Sequence, residues 1–279
     1  MVKHGVFCRK IALFRADYWA FRVPKRLLHS ATLFKTGPDK KGKNTMLSRR
    51  SSIIAGGTIA LAFVVLLAGP LTKIGLLPWL AGLGLFALGS LAAAVGGLIC
   101  LVIVIRNRGG LLATGGMVAG LAAAAVLAKI ITRSGNVPQV HDITTDTVNP
   151  PLFVSITPAL RGAGSNSITY DPAVAPKQAA AYPGVRPRTT TKSPAQMFDI
   201  ATKAVVARGW TVVGADSATG RIEATDASGW WGFKDDVVIR LRPDGEGTRV
   251  DIRSVSRVGR SDLGANAARI EKLMAEIAG

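Results

Sequence analysis

Cysteine is almost missing from this sequence: Cys8 and Cys100 are the only two, one in a basic leader and one inside an apolar run. A disulfide framework, a thiolate zinc site and a cysteine nucleophile are therefore excluded from the C-terminal half. Acidic residues are equally scarce at the start, where residues 1–133 hold only Asp17 and Asp39. The apolar runs have no Asp, Glu, Lys, Arg or His in their interiors. No proton relay, ion path or buried substrate site is marked there, so the runs read as an anchor and not as a transporter. Nucleophile elbow, P-loop, dinucleotide fingerprint, H-E-x-x-H and paired-cysteine motifs are also absent.

What the chain does have is apolar length and positive charge. Of its 279 residues 48% are hydrophobic, mean hydropathy is +0.31, and the net charge is +18. That charge is unevenly placed. Residues 1–45 carry eleven Lys/Arg against two Asp, residues 46–133 carry seven and no acid, and residues 134–279 carry seventeen against fifteen Asp/Glu. The C-terminal region is nearly balanced, and the excess lies before or beside apolar runs, where it sets orientation in a membrane. A nucleic-acid partner is not indicated.

Three divisions follow: a basic leader (1–45), a three-helix transmembrane anchor (46–133) and a soluble domain (134–279). The leader has no sustained core pattern, and Met46 is an alternative start. The uncharged stretches Ile53 to Leu71, Leu77 to Ile105 and Leu111 to Ala128 each approach or exceed the roughly 18–20 residues that cross hydrocarbon. Trp79 beside Pro78 fits an interfacial anchor. Gly116 and Gly120 form a G-x-x-x-G that lets helices approach closely. Arg49 and Arg50 precede the first stretch, Arg106 and Arg108 separate the second from the third, and only Lys73 lies between the first and second. The expectation is a multi-pass protein of the cytoplasmic (inner) membrane with its C-terminal domain on the extracytoplasmic, periplasmic side. Lys129 and Arg133 argue mildly for the reverse.

Residues 134–193 follow neither a helical nor a strand period and are expected to wrap the domain as ordered extended segments. Ser193, Pro194 and Gln196 spell a capping box and first-turn proline for a helix bearing Met197, Phe198, Ala201, Ala204 and Val205, closed by Arg208 and Gly209. Two hairpins follow. Trp210 and Val212 face Ile222 and Ala224. Val237, Ile239 and Leu241 face Val250, Ile252 and Ser254 in a register that sets Arg240 opposite Asp251. A last helix begins near Ser261. The expected fold is α+β: four antiparallel strands in a sheet covered by two helices, behind three transmembrane helices.

The segments HDITTD (141–146), NPP (149–151), AYP (181–183), GRIEAT (220–225), WWGFKDDVVIR (230–240) and RVDIRSVSRVGRSDLGANAARI (249–270) together resemble the domain-of-unknown-function family numbered 1499. The resemblance covers essentially all of 139–279. It implies a domain often attached to membrane helices, and it carries no activity with it.

Three groups are candidate sites. His141, the domain's single histidine, with Asp142 and Asp146 fits a general base; one histidine is too few for a typical zinc site, and the same stretch reads equally as a hydrogen-bonded turn. Arg253, Arg257 and Arg260 lead to a helix start at Ser261, an arrangement suited to an anion. The alternative there is a structural network in which Asp235, Asp236, Asp251 and Asp262 neutralise the arginines. Trp230, Trp231 and Phe233 form a ligand-stacking or membrane-facing rim, or else cover the sheet. No cofactor or metal is implied. The functional expectation is a membrane-tethered, non-catalytic binding or interaction module, with the lipid bilayer and an anionic small molecule or another membrane protein as partners. The alternative is a hydrolase using His141 with a nearby carboxylate.

Overall fold

A computed structural model describes residues 40–106 and 110–278. The basic leader before residue 40, with Cys8, and Arg108 of the loop-charge reading lie outside the described residues. Residues 46–279 make one compact unit.

The apolar runs form α1 (Lys40–Lys73), α2 (Trp79–Ile105) and α3 (Gly110–Gly135). Each contains a stretch of 26 or 27 residues long and apolar enough to cross a membrane. Backbone approach between them depends on glycine. A Cβ at Gly120 would lie 2.3 Å from the Ala93 carbonyl oxygen and 2.6 Å from the Gly97 Cα, and one at Gly116 would lie 3.1 Å from the Ala55 Cα. The G-x-x-x-G spacing therefore faces α2 and α1 together, the close packing that substitutes for hydrophobic driving force in lipid. Gly120→Ala should cost about 1–3 kcal/mol in a melt of the detergent-solubilised chain, through overpacking. Gly135, which has open space around it, should accept alanine without loss; equal effects at the two positions would contradict a tight seam.

The α1–α2 connection lies beside the C-terminal domain: the Lys73 ammonium donates to the Gly229 carbonyl at 2.8 Å. At the opposite end of the helices Arg50, Ser51 and Arg106 surround one hollow. From α3, residues 136–141 alone lead to the first strand of the domain. Arg133 donates back to the Leu263 carbonyl at 2.7 Å.

The domain is a six-stranded antiparallel sheet of β1 (Asp142–Thr144), β2 (Arg188–Thr190), β3 (Thr211–Asp216), β4 (Arg221–Ala227), β5 (Lys234–Asp244) and β6 (Gly247–Ser256). Its order is β1-β6-β5-β4-β3, and β2 also pairs with β6. The two expected hairpins are present, with Arg240 opposite Asp251 and Ile239 opposite Ile252. Two strands exceed the four expected. β1 and β2 come from the segment read as extended wrapping, and they cover successive parts of the same β6 edge.

One face of the sheet carries Ile222, Ala224, Val237, Ile239, Leu241, Val250 and Ile252 against α6 (Pro194–Ala207) and α7 (Ala265–Ala278). The capping box of α6 forms as expected, with Ser193 accepting from Gln196 N–H and the Gln196 side chain accepting from Ser193 N–H. The helix α7 starts at Ala265 and not near Ser261, because Leu263 and Gly264 both take positive φ (54° and 79°). Asp262 holds that turn by accepting from Gly264 N–H at 2.8 Å and Asn266 N–H at 2.7 Å. The second face of the sheet is polar. It is covered by residues 146–170, which include α4 (Pro158–Arg161), while α5 (Ala175–Ala181) lies beside the β1 edge, and Val174, Tyr182 and Val185 around it join the apolar core.

Candidate functional site

On that second face, charged side chains are buried and paired. Strand alternation does turn Arg253 away from Ile252, but the face it enters is closed and Arg253 is fully buried. Its guanidinium grips Asp142 through two bonds of 2.9 and 2.6 Å. It also donates to the carbonyls of Pro151 and Ile168 at 3.1 and 2.7 Å, and it lies between the rings of Phe153 and Tyr170, 5.4 and 5.5 Å from their centroids. Such an arginine has little capacity left for a ligand. Alternation alone turns Arg253 away from the core that Val250 and Ile252 build, and the covering segment is the physical reason that it is buried there and not free for an anion.

Arg257 goes to a different carboxylate. Asp236, also fully buried, accepts from Arg257 at 2.8 and 2.9 Å, from Arg161 at 2.8 Å and from the Thr225 hydroxyl at 2.7 Å. Two guanidiniums therefore share one carboxylate, and the cost of burying Arg161 lowers its affinity for a proton despite the Asp236 charge. Arg260 is exposed, and the Ser261 hydroxyl is engaged with the Pro138 carbonyl and Leu263 N–H. The first free amides of α7 are taken by Asp262, whose carboxyl burial pushes toward the protonated form. Arg253, Arg257, Arg260 and Ser261 are therefore not gathered at one point.

The His141 imidazole has no hydrogen bond or ion pair among the described residues; its backbone carbonyl accepts from Ser256 N–H and Asn266. Asp142 belongs to Arg253. Asp146 accepts from Arg240 and Arg249 at 3.3 and 3.1 Å and from Val148 and Asn149 N–H. The three residues do not converge. Glu223, which lies within GRIEAT but was not among the candidate site residues, accepts three backbone N–H groups, from Val154 and Ile156 at 2.7 Å and from Ser155 at 3.1 Å, and pairs with Arg221.

Tyr170 has a buried hydroxyl without a hydrogen-bond partner among the described residues. Burial pushes its pKa up to about 12, helped by the Asp142 charge and opposed by Arg253. A raised phenol pKa favours the neutral form in the folded state. The stability it contributes is therefore complete below the unfolded value near 10 and lost as pH rises toward about 12. Tyr170→Phe should be neutral or slightly stabilising at pH 7 and should move the alkaline unfolding limit upward. Spectrophotometric titration at 295 nm checks this; an unchanged alkaline limit would mean the phenol is not buried.

The open concavity lies elsewhere, where the domain meets the helices. The loop after β4 carries Trp230, Trp231 and Phe233. Trp230 rests on Gly69 of α1, where a Cβ would come within 2.6 Å of its ring. Phe86 of α2 meets Trp230 and Trp231 edge-on at 5.8 and 5.7 Å, and Trp231 stacks on Phe233 at 5.4 Å. The aromatic loop is thus neither sheet cover nor a free rim: it seats the domain on the helices. Beside it, Thr72, Leu77 and Trp79 of the α1–α2 corner and Arg161, Trp231, Phe233, Lys234 and Arg257 of the domain enclose a hollow of about 290 Å³. Arg161 in this set escaped sequence reasoning because it sits in a short helix with no period, and Lys234, although inside WWGFKDDVVIR, was not singled out there.

Residues 142–277 match the model of a family described as a protein of unknown function (DUF1499). The C-terminal domain is a DUF1499 domain. The resemblance carried by HDITTD and the two long motifs of the last hairpin thus holds for the DUF1499 domain, with three apolar helices ahead of it. Among curated proteins none matches the chain.

Proposed function

We propose that the chain is a membrane-tethered, extracytoplasmic, non-catalytic binding module whose ligand enters the hollow between the DUF1499 domain and its helical anchor. The observation that carries this reading is the position of the hollow. Polar side chains of the domain meet open volume there, while Arg253, the first of the candidate arginines, is spent on Asp142. Orientation is supported by the charge at the two ends of the helices. Lys73, Lys129 and Arg133 lie at the domain end, and Arg49, Arg50 and Arg106 lie at the other, where the eleven Lys/Arg of residues 1–45 precede the first helix in sequence and tip the balance toward a cytoplasmic N-terminal side.

A hydrolase built on His141 would need a carboxylate or hydroxyl within about 3 Å of the imidazole. The engagement of Asp142 by Arg253 and of Asp146 by Arg240 and Arg249 favours the binding reading. The test has two parts. A reporter enzyme that works only outside the cytoplasm, fused after Gly279, should be active; activity of a cytoplasm-only reporter would reverse the topology. His141→Ala should leave the set of small molecules retained by the purified full chain unchanged in mass spectra. Turnover of a retained molecule that His141→Ala abolishes would establish the hydrolase instead.

A further inference from the structure

The hollow at the junction joins an aromatic wall to an excess of positive charge, and the two together define what it takes. Trp79, Trp231 and Phe233 line one side. Arg161, Arg257 and Lys234 contribute three cations, and no carboxylate belongs to the lining. Asp236 lies beneath and answers both arginines at once. The neighbouring Asp235 is on the opposite face of its strand, where it pairs with Arg269. Lys234 is exposed, and its ammonium has neither hydrogen bond nor ion pair among the described residues. Three cations over one carboxylate leave a local surplus of about two charges.

Depth adds the second half of the argument. Lys73 and Trp79 end α1 and begin α2, so the hollow lies at the level where apolar helix gives way to polar chain, the position of lipid headgroups.

Resting on the binding-module reading, we propose that this hollow binds the anionic phosphate headgroup of a membrane lipid, with the phosphate against Lys234 and Arg257 and the glycerol backbone against Trp79 and Trp231. Phosphatidylcholine shares the phosphate but carries a cation that the surplus charge repels, so selection for a net anionic lipid follows.

The test uses the full chain in detergent micelles, titrated with dioleoylphosphatidylglycerol or dioleoylphosphatidylcholine and read by native mass spectrometry. Phosphatidylglycerol should be preferred, and Lys234→Gln should weaken its binding about five-fold without affecting phosphatidylcholine. Because Lys234 is exposed and unpaired, the variant should keep the parent's melting temperature. Equal binding of the two lipids, or an undiminished preference in Lys234→Gln, would overturn the proposal. So would displacement of phosphatidylglycerol by millimolar inorganic phosphate, which would mark a free anion as the natural occupant. None of these outcomes alters the His141→Ala comparison, so failure of the lipid assignment and failure of the binding-module reading are separable.

Discussion

Arg253→Ala should destabilise the DUF1499 domain by about 3–5 kcal/mol, the cost of stranding a buried carboxylate. The substitution leaves Asp142 without its bidentate partner and the Pro151 and Ile168 carbonyls without a donor. It also opens a cavity between Phe153 and Tyr170. For a domain of this size the loss amounts to a fall of roughly 10 °C or more in melting temperature. Asp142→Ala should cost a similar amount, and the double variant much less than the sum, because the two side chains lose the same interaction. Urea unfolding followed by tryptophan fluorescence gives all three values. A cost under about 1 kcal/mol for Arg253→Ala would mean that the pair is solvated. Phosphate should protect neither parent nor variant through this residue, since its donors face inward.

The second large effect is expected at Glu223. Its carboxylate is the acceptor for three consecutive backbone N–H groups, Val154, Ser155 and Ile156. Ile156 N–H is buried and costs about 1–3 kcal/mol when left without a partner, while the exposed Val154 and Ser155 can turn to water, so Glu223→Ala should remove roughly 1–3 kcal/mol. Glu223→Gln keeps one acceptor oxygen but turns an NH2 group toward a donor, and it should fall between parent and alanine. Hydrogen exchange gives the local reading: the amides of 154–156 should lose protection in Glu223→Ala before the amides of β5 do. If those three amides exchange no faster than in the parent, the covering segment is held by other contacts, with Ile156 the first to consider because it is fully buried.

Most of the frame was legible because its signals are local. The α6 capping box needs only Ser193, Pro194 and Gln196. The register that places Arg240 opposite Asp251 follows from pairing the apolar faces of one hairpin, and the membrane-length helices follow from apolar runs. What escaped depends on contacts between residues far apart in the chain. β1 and β2 are three residues each, too short to show a period, and the edge of β6 dictates them. β1 is further held by Gln178, whose side chain bonds both N–H and C=O of Thr144. Alternation correctly assigned Arg253 to the face opposite Ile252, yet it could not tell that residues 151–170 would close that face. For the same reason the seat of Trp230 on Gly69 was invisible: a glycine in an apolar helix looks alike whether or not an indole lies across it.

The connection between α3 and β1 also limits how far the domain can work from its anchor. Residues 136–141 span no more than roughly 20 Å when fully stretched. Even with Lys73, Arg133 and the aromatic loop released, the domain would stay within about its own width of the helix ends. It samples a thin shell above them and not a volume. Whatever it recognises must therefore come to it, through the bilayer or from solution, or lie close over the helices, and capture by a long flexible tether is not open to this chain.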